Sequence, residues 1–127
     1  MVQDLVAEAE RAWPNQAFAF LIGRVEGDVI KVVKIVKPDR FEASTSYFKV
    51  DPIAAYKVFM DADREGLDVV GIFHTHHGSS VPSGMDLYYM KSNPCVWLIV
   101  AMPSLAFGVY EWRNGGLYTA QLVLEEG

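Results

Sequence analysis

The chain has 127 residues, a hydrophobic fraction of 51%, and seven Phe, six Tyr and three Trp. That is enough apolar side chain for one core and too much for a disordered segment. A net charge of −5 with no Lys/Arg cluster argues against a nucleic-acid partner. No apolar run reaches the ~18 residues of a membrane span, so no membrane association is expected. Met1-Val2-Gln3-Asp4 lacks the basic-then-apolar order of a signal peptide.

In chain order, Asp4 to Trp13 reads as an amphipathic helix, with Leu5, Val6, Ala9 and Trp13 along one side and Pro14-Asn15 as its stop. Ala17 to Arg24 and Val29 to Val36 read as strands joined by a turn at Glu26-Gly27-Asp28. Pro38 to Arg40 breaks the second strand, and aromatic and β-branched residues suggest a third from Ser44 to Val50. Asp51-Pro52 supplies an N-cap and a first-turn proline for a helix running to about Glu65, with Gly66 past its end. Leu67 to His74 reads as a strand and Ser83 to about Lys91 as a short helix. Val96 to Ala101, Ala106 to Trp112 and Leu117 to Leu124 complete the strands, the last two joined at Asn114-Gly115-Gly116. The fold class is therefore α/β (α+β): a mixed, mostly antiparallel sheet flanked by helices. No repeat or linker divides the chain, so residues 1–127 are read as one domain.

The chemistry concentrates in Gly71-Ile72-Phe73-His74-Thr75-His76-His77 and Ser83-Gly84-Met85-Asp86. Strand residues at i and i+2 share a face, so His74 and His76 can converge on one ion. Asp86 can fold back across the Gly/Ser/Pro loop as a third ligand. Two imidazoles and a carboxylate, with water in fourth place, make a catalytic zinc site. Ser83 and Asp86 read equally as a capping box opening the short helix, and the two readings are compatible. Thr75 points to the opposite face and is read as packing. His77, if the strand continues, points away from His76. Cys95 opens an apolar strand and is read as a structural thiol. As the sole cysteine it allows no intrachain disulfide and suits a reducing, cytoplasmic setting.

The order strand, His74-Thr75-His76, loop, Ser83-x-x-Asp86, helix resembles the JAMM (MPN+) metalloprotease family, and the resemblance covers nearly the whole chain. It implies that His74, His76 and Asp86 bind Zn2+ and that the Ser83 hydroxyl stabilises the oxyanion of the scissile carbonyl. It also implies isopeptide or peptide cleavage after the Gly-Gly tail of a ubiquitin-like modifier or sulfur-carrier protein. Two departures lie in the motif itself. Six residues separate His76 from Ser83, one fewer than is usual, and His77 stands where the family commonly has Pro.

A third departure bears on catalysis. The family's proton-accepting Glu precedes the first strand, and the matching position in Trp13-Pro14-Asn15-Gln16-Ala17 is Gln16. Glutamine has nearly the shape of glutamate but takes no proton, and losing a general base costs about 10²–10⁴ in rate. The chain then reads as an inactive or engineered variant of an isopeptidase, with a catalytically silent MPN-type scaffold as the alternative. A zinc hydrolase of small peptides or amides shares the same metal chemistry. The expected partner is a ubiquitin-like modifier or its conjugates, and a homodimer is compatible with the sequence.

Overall fold

A computed structural model describes residues 1–93 and 95–125. Helix α1 (Val2–Ala12) buries Leu5 and Ala9, one turn apart on one face. Strands β1 (Phe18–Glu26) and β2 (Val29–Val36) form an antiparallel hairpin whose turn uses Gly27 at φ 61°, where a side chain would be strained. Side chains at the start of β1 alternate between two cores. Ala17, Ala19 and Leu21 pack with Leu5 and Ala9 of α1. Phe18, Phe20 and Ile22 pack with Val58 and Ala62 of helix α2 (Pro52–Arg64). The period of two thus places one helix on each face of the sheet.

Helix α2 starts as expected: Asp51 caps it by accepting the Ala54 N–H at 3.0 Å, with proline in the first turn. Gly66, at φ 73°, follows its end. Strand β5 (Asp68–His77) runs on past His74, because its pairing with a later strand continues to His77. It lies antiparallel to β1 and parallel to β6 (Val96–Met102), which carries the pairing to His76↔Ala101 and His77↔Met102. Gly71 allows this close packing: a Cβ there would meet the Val96 carbonyl oxygen at 2.6 Å. Helix α3 (Gly84–Met90) follows the loop after β5, and β7 (Phe107–Arg113) pairs antiparallel with β6.

Two expectations are corrected. Of the strand expected over 44–50 only the end forms, as β4 (Phe48–Val50), which pairs with an unexpected β3 (Phe41–Ala43) as a separate ribbon. The Ser44 hydroxyl accepts the N–H groups of Ser46 and Tyr47, so the chain turns where the strand was expected to run. The strand expected over 117–124 is two, β8 (Gly116–Thr119) and β9 (Leu122–Leu124). β8 pairs antiparallel with β7, whereas β9 pairs parallel with β2.

That split reveals the shape of the sheet. The strand order is β8-β7-β6-β5-β1-β2-β9, so sequence neighbours β8 and β9 occupy opposite edges of seven strands. Laid flat, the edges would stand about 29 Å apart at ~4.8 Å per strand. Three Cα steps from Thr119 to Leu122 reach at most about 11 Å. The sheet must curl until its edges approach. It is mixed and mostly antiparallel, as expected, and β5 lies at its centre. Among the described residues, no helix is long and apolar enough to cross a membrane.

Candidate metal centre

Central strand β5 holds the two histidines on the face that carries α2. His74 sits opposite Phe18 of β1 and is fully buried. Its ring lies between Phe48, with centroids 5.0 Å apart, and the edge of Trp97 at 5.7 Å. His76 meets it edge-on at 4.6 Å and is partly exposed. Aromatic walls of this kind fix a ring's orientation without taking its nitrogens. Neither His74 nitrogen has a hydrogen-bond partner among the described residues. An unmet buried polar atom costs about 1–3 kcal/mol, so a group that takes Nε2 is chemically called for.

Asp86 reaches this pair from α3. One carboxylate oxygen, Oδ1, lies 3.3 Å from His74 Nε2, close enough to attract but without hydrogen-bond geometry. The other, Oδ2, lies 2.9 Å from His76 Nε2. One ligand atom from each residue falls within 4.8 Å of the other two. Two imidazole nitrogens and a carboxylate converging on one point, one of them otherwise unmet, are a donor set that fits zinc.

The capping box and the ligand reading describe the same atoms. Ser83 Oγ accepts the Asp86 N–H at 3.1 Å, and Asp86 Oδ2 accepts the Ser83 N–H at 2.9 Å. The helix start therefore aims Asp86 at the histidines. Burial opposes ionisation of Asp86, but its contacts with His74 and His76 and the Ser83 N–H outweigh it. The carboxyl is held well below the usual carboxylate range, so it is anionic as a metal ligand must be. Ser83 Oγ uses a lone pair in the cap and keeps its O–H free to donate.

Gln16 is buried just ahead of β1, and its backbone N–H donates to the Ser44 carbonyl at 2.7 Å. Gln16, His76, Ser83 and Asp86 line one open cavity of about 260 Å³, together with Tyr47, Phe48, Met85 and Tyr89. The residues expected at the site from sequence thus come together, with His74 behind His76. His77 also lines this cavity, with its ring stacked on Trp13 at 4.7 Å.

Some neighbours carry no sequence signal. Thr75, read as packing, is buried and accepts the Ala17 N–H through Oγ1 at 2.8 Å. Phe48 and Trp97 wall in His74 from distant strands. A larger, mainly aromatic cavity of about 780 Å³ adjoins the first and shares Tyr47, Phe48, Met85 and Tyr89 with it. Phe18, Phe20, Phe59, Ile72 and Trp97 also line it.

Cys95 lines this larger cavity and is half-buried. Burial pushes its thiol up to about 11, partly offset by Trp97. The thiolate is the reactive form, so alkylation should be slow at pH 8 and accelerate through pH 10. A stopped assay with iodoacetamide across that range checks this. A rate already level by pH 9 would show an ordinary exposed thiol.

Residues 1–114 match the family model of prokaryotic homologs of the JAB domain, and the chain belongs to that family. The resemblance carried by His74, His76, Ser83 and Asp86 is thereby shown. A desampylase of Pyrococcus furiosus is 42% identical over 82 residues, which are 64% of this chain. The match spans 56% of that relative's own length. Two solved structures share the fold. One, from Desulfitobacterium hafniense, has a TM-score of 0.83 at 24% identity, covering 99% of this chain and 89% of its own. The other, a JAB1/MPN domain protein from Archaeoglobus fulgidus, has a TM-score of 0.61 at 19% identity, covering 98% and 90%.

Proposed function

We propose that this chain is a zinc-dependent isopeptidase of the JAMM type whose rate is held down by Gln16. Its substrate class is a ubiquitin-like modifier or sulfur-carrier protein, cut after the C-terminal Gly-Gly. One observation carries the reading: His76 and Asp86 line the cavity that Gln16 and Ser83 also line, and His74 converges with them from behind His76. The desampylase likeness supports a modifier as substrate. In this reading residues 1–127 act as one domain, of which 94, 126 and 127 lie outside the described residues, and the cytoplasm keeps Cys95 reduced.

A zinc ion held by His74, His76 and Asp86 would supply Lewis acidity and a water acidic enough to ionise near neutral pH. The chain's own residues do the rest. Gln16 can donate and accept hydrogen bonds in the cavity but holds no proton for a leaving amine. Ser83 can turn its free O–H towards the oxygen of the scissile carbonyl. An extended tail can run along β4, which borders both cavities and is paired on one edge by β3. Zinc analysis, followed by cleavage of a Gly-Gly conjugate with and without chelator, tests the reading.

Ser83→Ala separates the two jobs of that residue. In a Gln16→Glu background it should retain zinc and slow turnover by about 10²-fold, as expected for loss of an oxyanion donor. The lost cap alone is worth about 1 kcal/mol of stability. A lower melting temperature with unchanged turnover would leave Ser83 as a cap only.

Gln16 also favours a second reading, a silent MPN-type scaffold that binds a partner without cutting it. Such a chain has no need of metal, so the retained ligand set weighs against it. Gln16→Glu distinguishes the two, because a scaffold gains nothing from a proton acceptor.

A further inference from the structure

Strand β5 has two faces, and the face turned away from the metal ligands has a task of its own. His74 and His76 point to the α2 side. Thr75 and His77 alternate with them, on the side where the chain crosses from α1 to β1 through Trp13, Pro14, Asn15 and Gln16, and His77, at the strand end, also lines the cavity that Gln16 lines. His77 Nε2–H donates to the Pro14 carbonyl at 2.6 Å. Its ring stacks on Trp13 with centroids 4.7 Å apart and planes 26° from parallel. Thr75 Oγ1 accepts the Ala17 N–H at 2.8 Å, and the Thr75 N–H donates to the Ala17 carbonyl at 3.3 Å. Gln16 lies between these anchors, its own N–H held by the Ser44 carbonyl at 2.7 Å, so the His77 contacts fix the connection that leads into it.

We propose that His77, braced by Trp13, is a positioning residue that sets where Gln16 sits in the cavity; the catalytic part of this inference rests on the function proposed above. The physical case is a contrast in burial. Trp13, Pro14, Asn15 and His77 are exposed, whereas Gln16 is 6% exposed. An exposed three-residue connection would be free to move. Its local bond, Asn15 N–H to the Ala12 carbonyl at 2.8 Å, ties it to α1 and not to the site. The His77 contacts tie it instead to the end of the strand that carries His74 and His76. Gln16 and the metal ligands then share one rigid reference. At this position a proline could offer neither the ring nitrogen nor an aromatic stack, so the clamp depends on the residue present here.

The side chain at 16 must be held to within a fraction of an ångström to act on a proton, and a misplacement of about 1 Å can cost 10²-fold. In the Gln16→Glu protein, His77→Ala should lower kcat about 10- to 100-fold while KM, zinc content and melting temperature change little. Trp13→Ala should do the same, and the double substitution should be little worse than either alone, because the two rings act as one brace. His77→Gln keeps a donor for the Pro14 carbonyl and should recover part of the loss.

A second readout needs no activity. In the chain as written, labelled with ¹⁵N, His77→Ala should shift the backbone and side-chain amide signals of Gln16 and speed exchange of its backbone amide. Amide signals of α2 should stay in place. If the Gln16→Glu protein proved inactive while His77→Ala still displaced the Gln16 signals in the chain as written, the proposed function would be overturned and the clamp would stand. Unmoved Gln16 signals, or a His77→Ala loss explained by lost zinc, would overturn the clamp.

Discussion

Replacing Gln16 with glutamate should raise turnover of a Gly-Gly conjugate by about 10²–10⁴-fold, the scale of a positioned general base. The expectation follows from place and shape. Gln16 is buried, its backbone is fixed by the Ser44 carbonyl, and it lines the cavity shared by His76, Ser83 and Asp86. The substitution changes one terminal NH₂ to an oxygen and leaves the packing as it is. What it adds is a site for a proton. The restored rate should rise with pH through an apparent pKa that belongs to the coupled set of groups and not to residue 16 alone. Steady-state kinetics of both proteins across pH 5–9 give the measurement. Equal rates would mean that another group takes the proton and that Gln16 does not occupy the base position.

The second large effect concerns the metal. His74→Ala or Asp86→Ala should bring zinc content after desalting from about one per chain to near zero, because each removes one of three protein ligands. His77→Ala should leave it unchanged, since that ring is engaged with Trp13 and the Pro14 carbonyl. Asp86 also serves the α3 cap, so its alanine variant should lose about 1 kcal/mol of stability besides the metal. Ser83→Ala is the matching control, losing the cap bond while keeping the ligands. Elemental analysis reads all four. Full zinc in both ligand variants would overturn the assignment.

The site was legible because its signals are local. A period of two places His74 and His76 on one face, and a capping box from Ser83 to Asp86 aims the carboxylate. The hairpins at Gly27 and Asn114-Gly115 were legible for the same reason: their φ values of 61°, 50° and 75° need residues that tolerate the left-handed region. What stayed hidden depends on distant pairing. Nothing near Leu122 announces that β9 will cross to β2, nor does any local pattern extend β5 to His77 before β6 is known to lie beside it. Phe48 and Trp97 read only as apolar residues, yet they enclose His74. Thr75 was placed on the correct face and read as packing, but its bond to Ala17 depends on the β1–β5 register.

The most direct test of the account is a zinc titration of the metal-stripped Gln16→Glu protein, followed by single-turnover cleavage of a ubiquitin-like modifier joined through its Gly-Gly tail to a lysine. Cleavage should be absent in chelator, rise linearly with added zinc and level off at one ion per chain, with no rise when Asp86→Ala is added. Cleavage that persists in chelator, or that zinc restores equally in the Asp86→Ala protein, would contradict it.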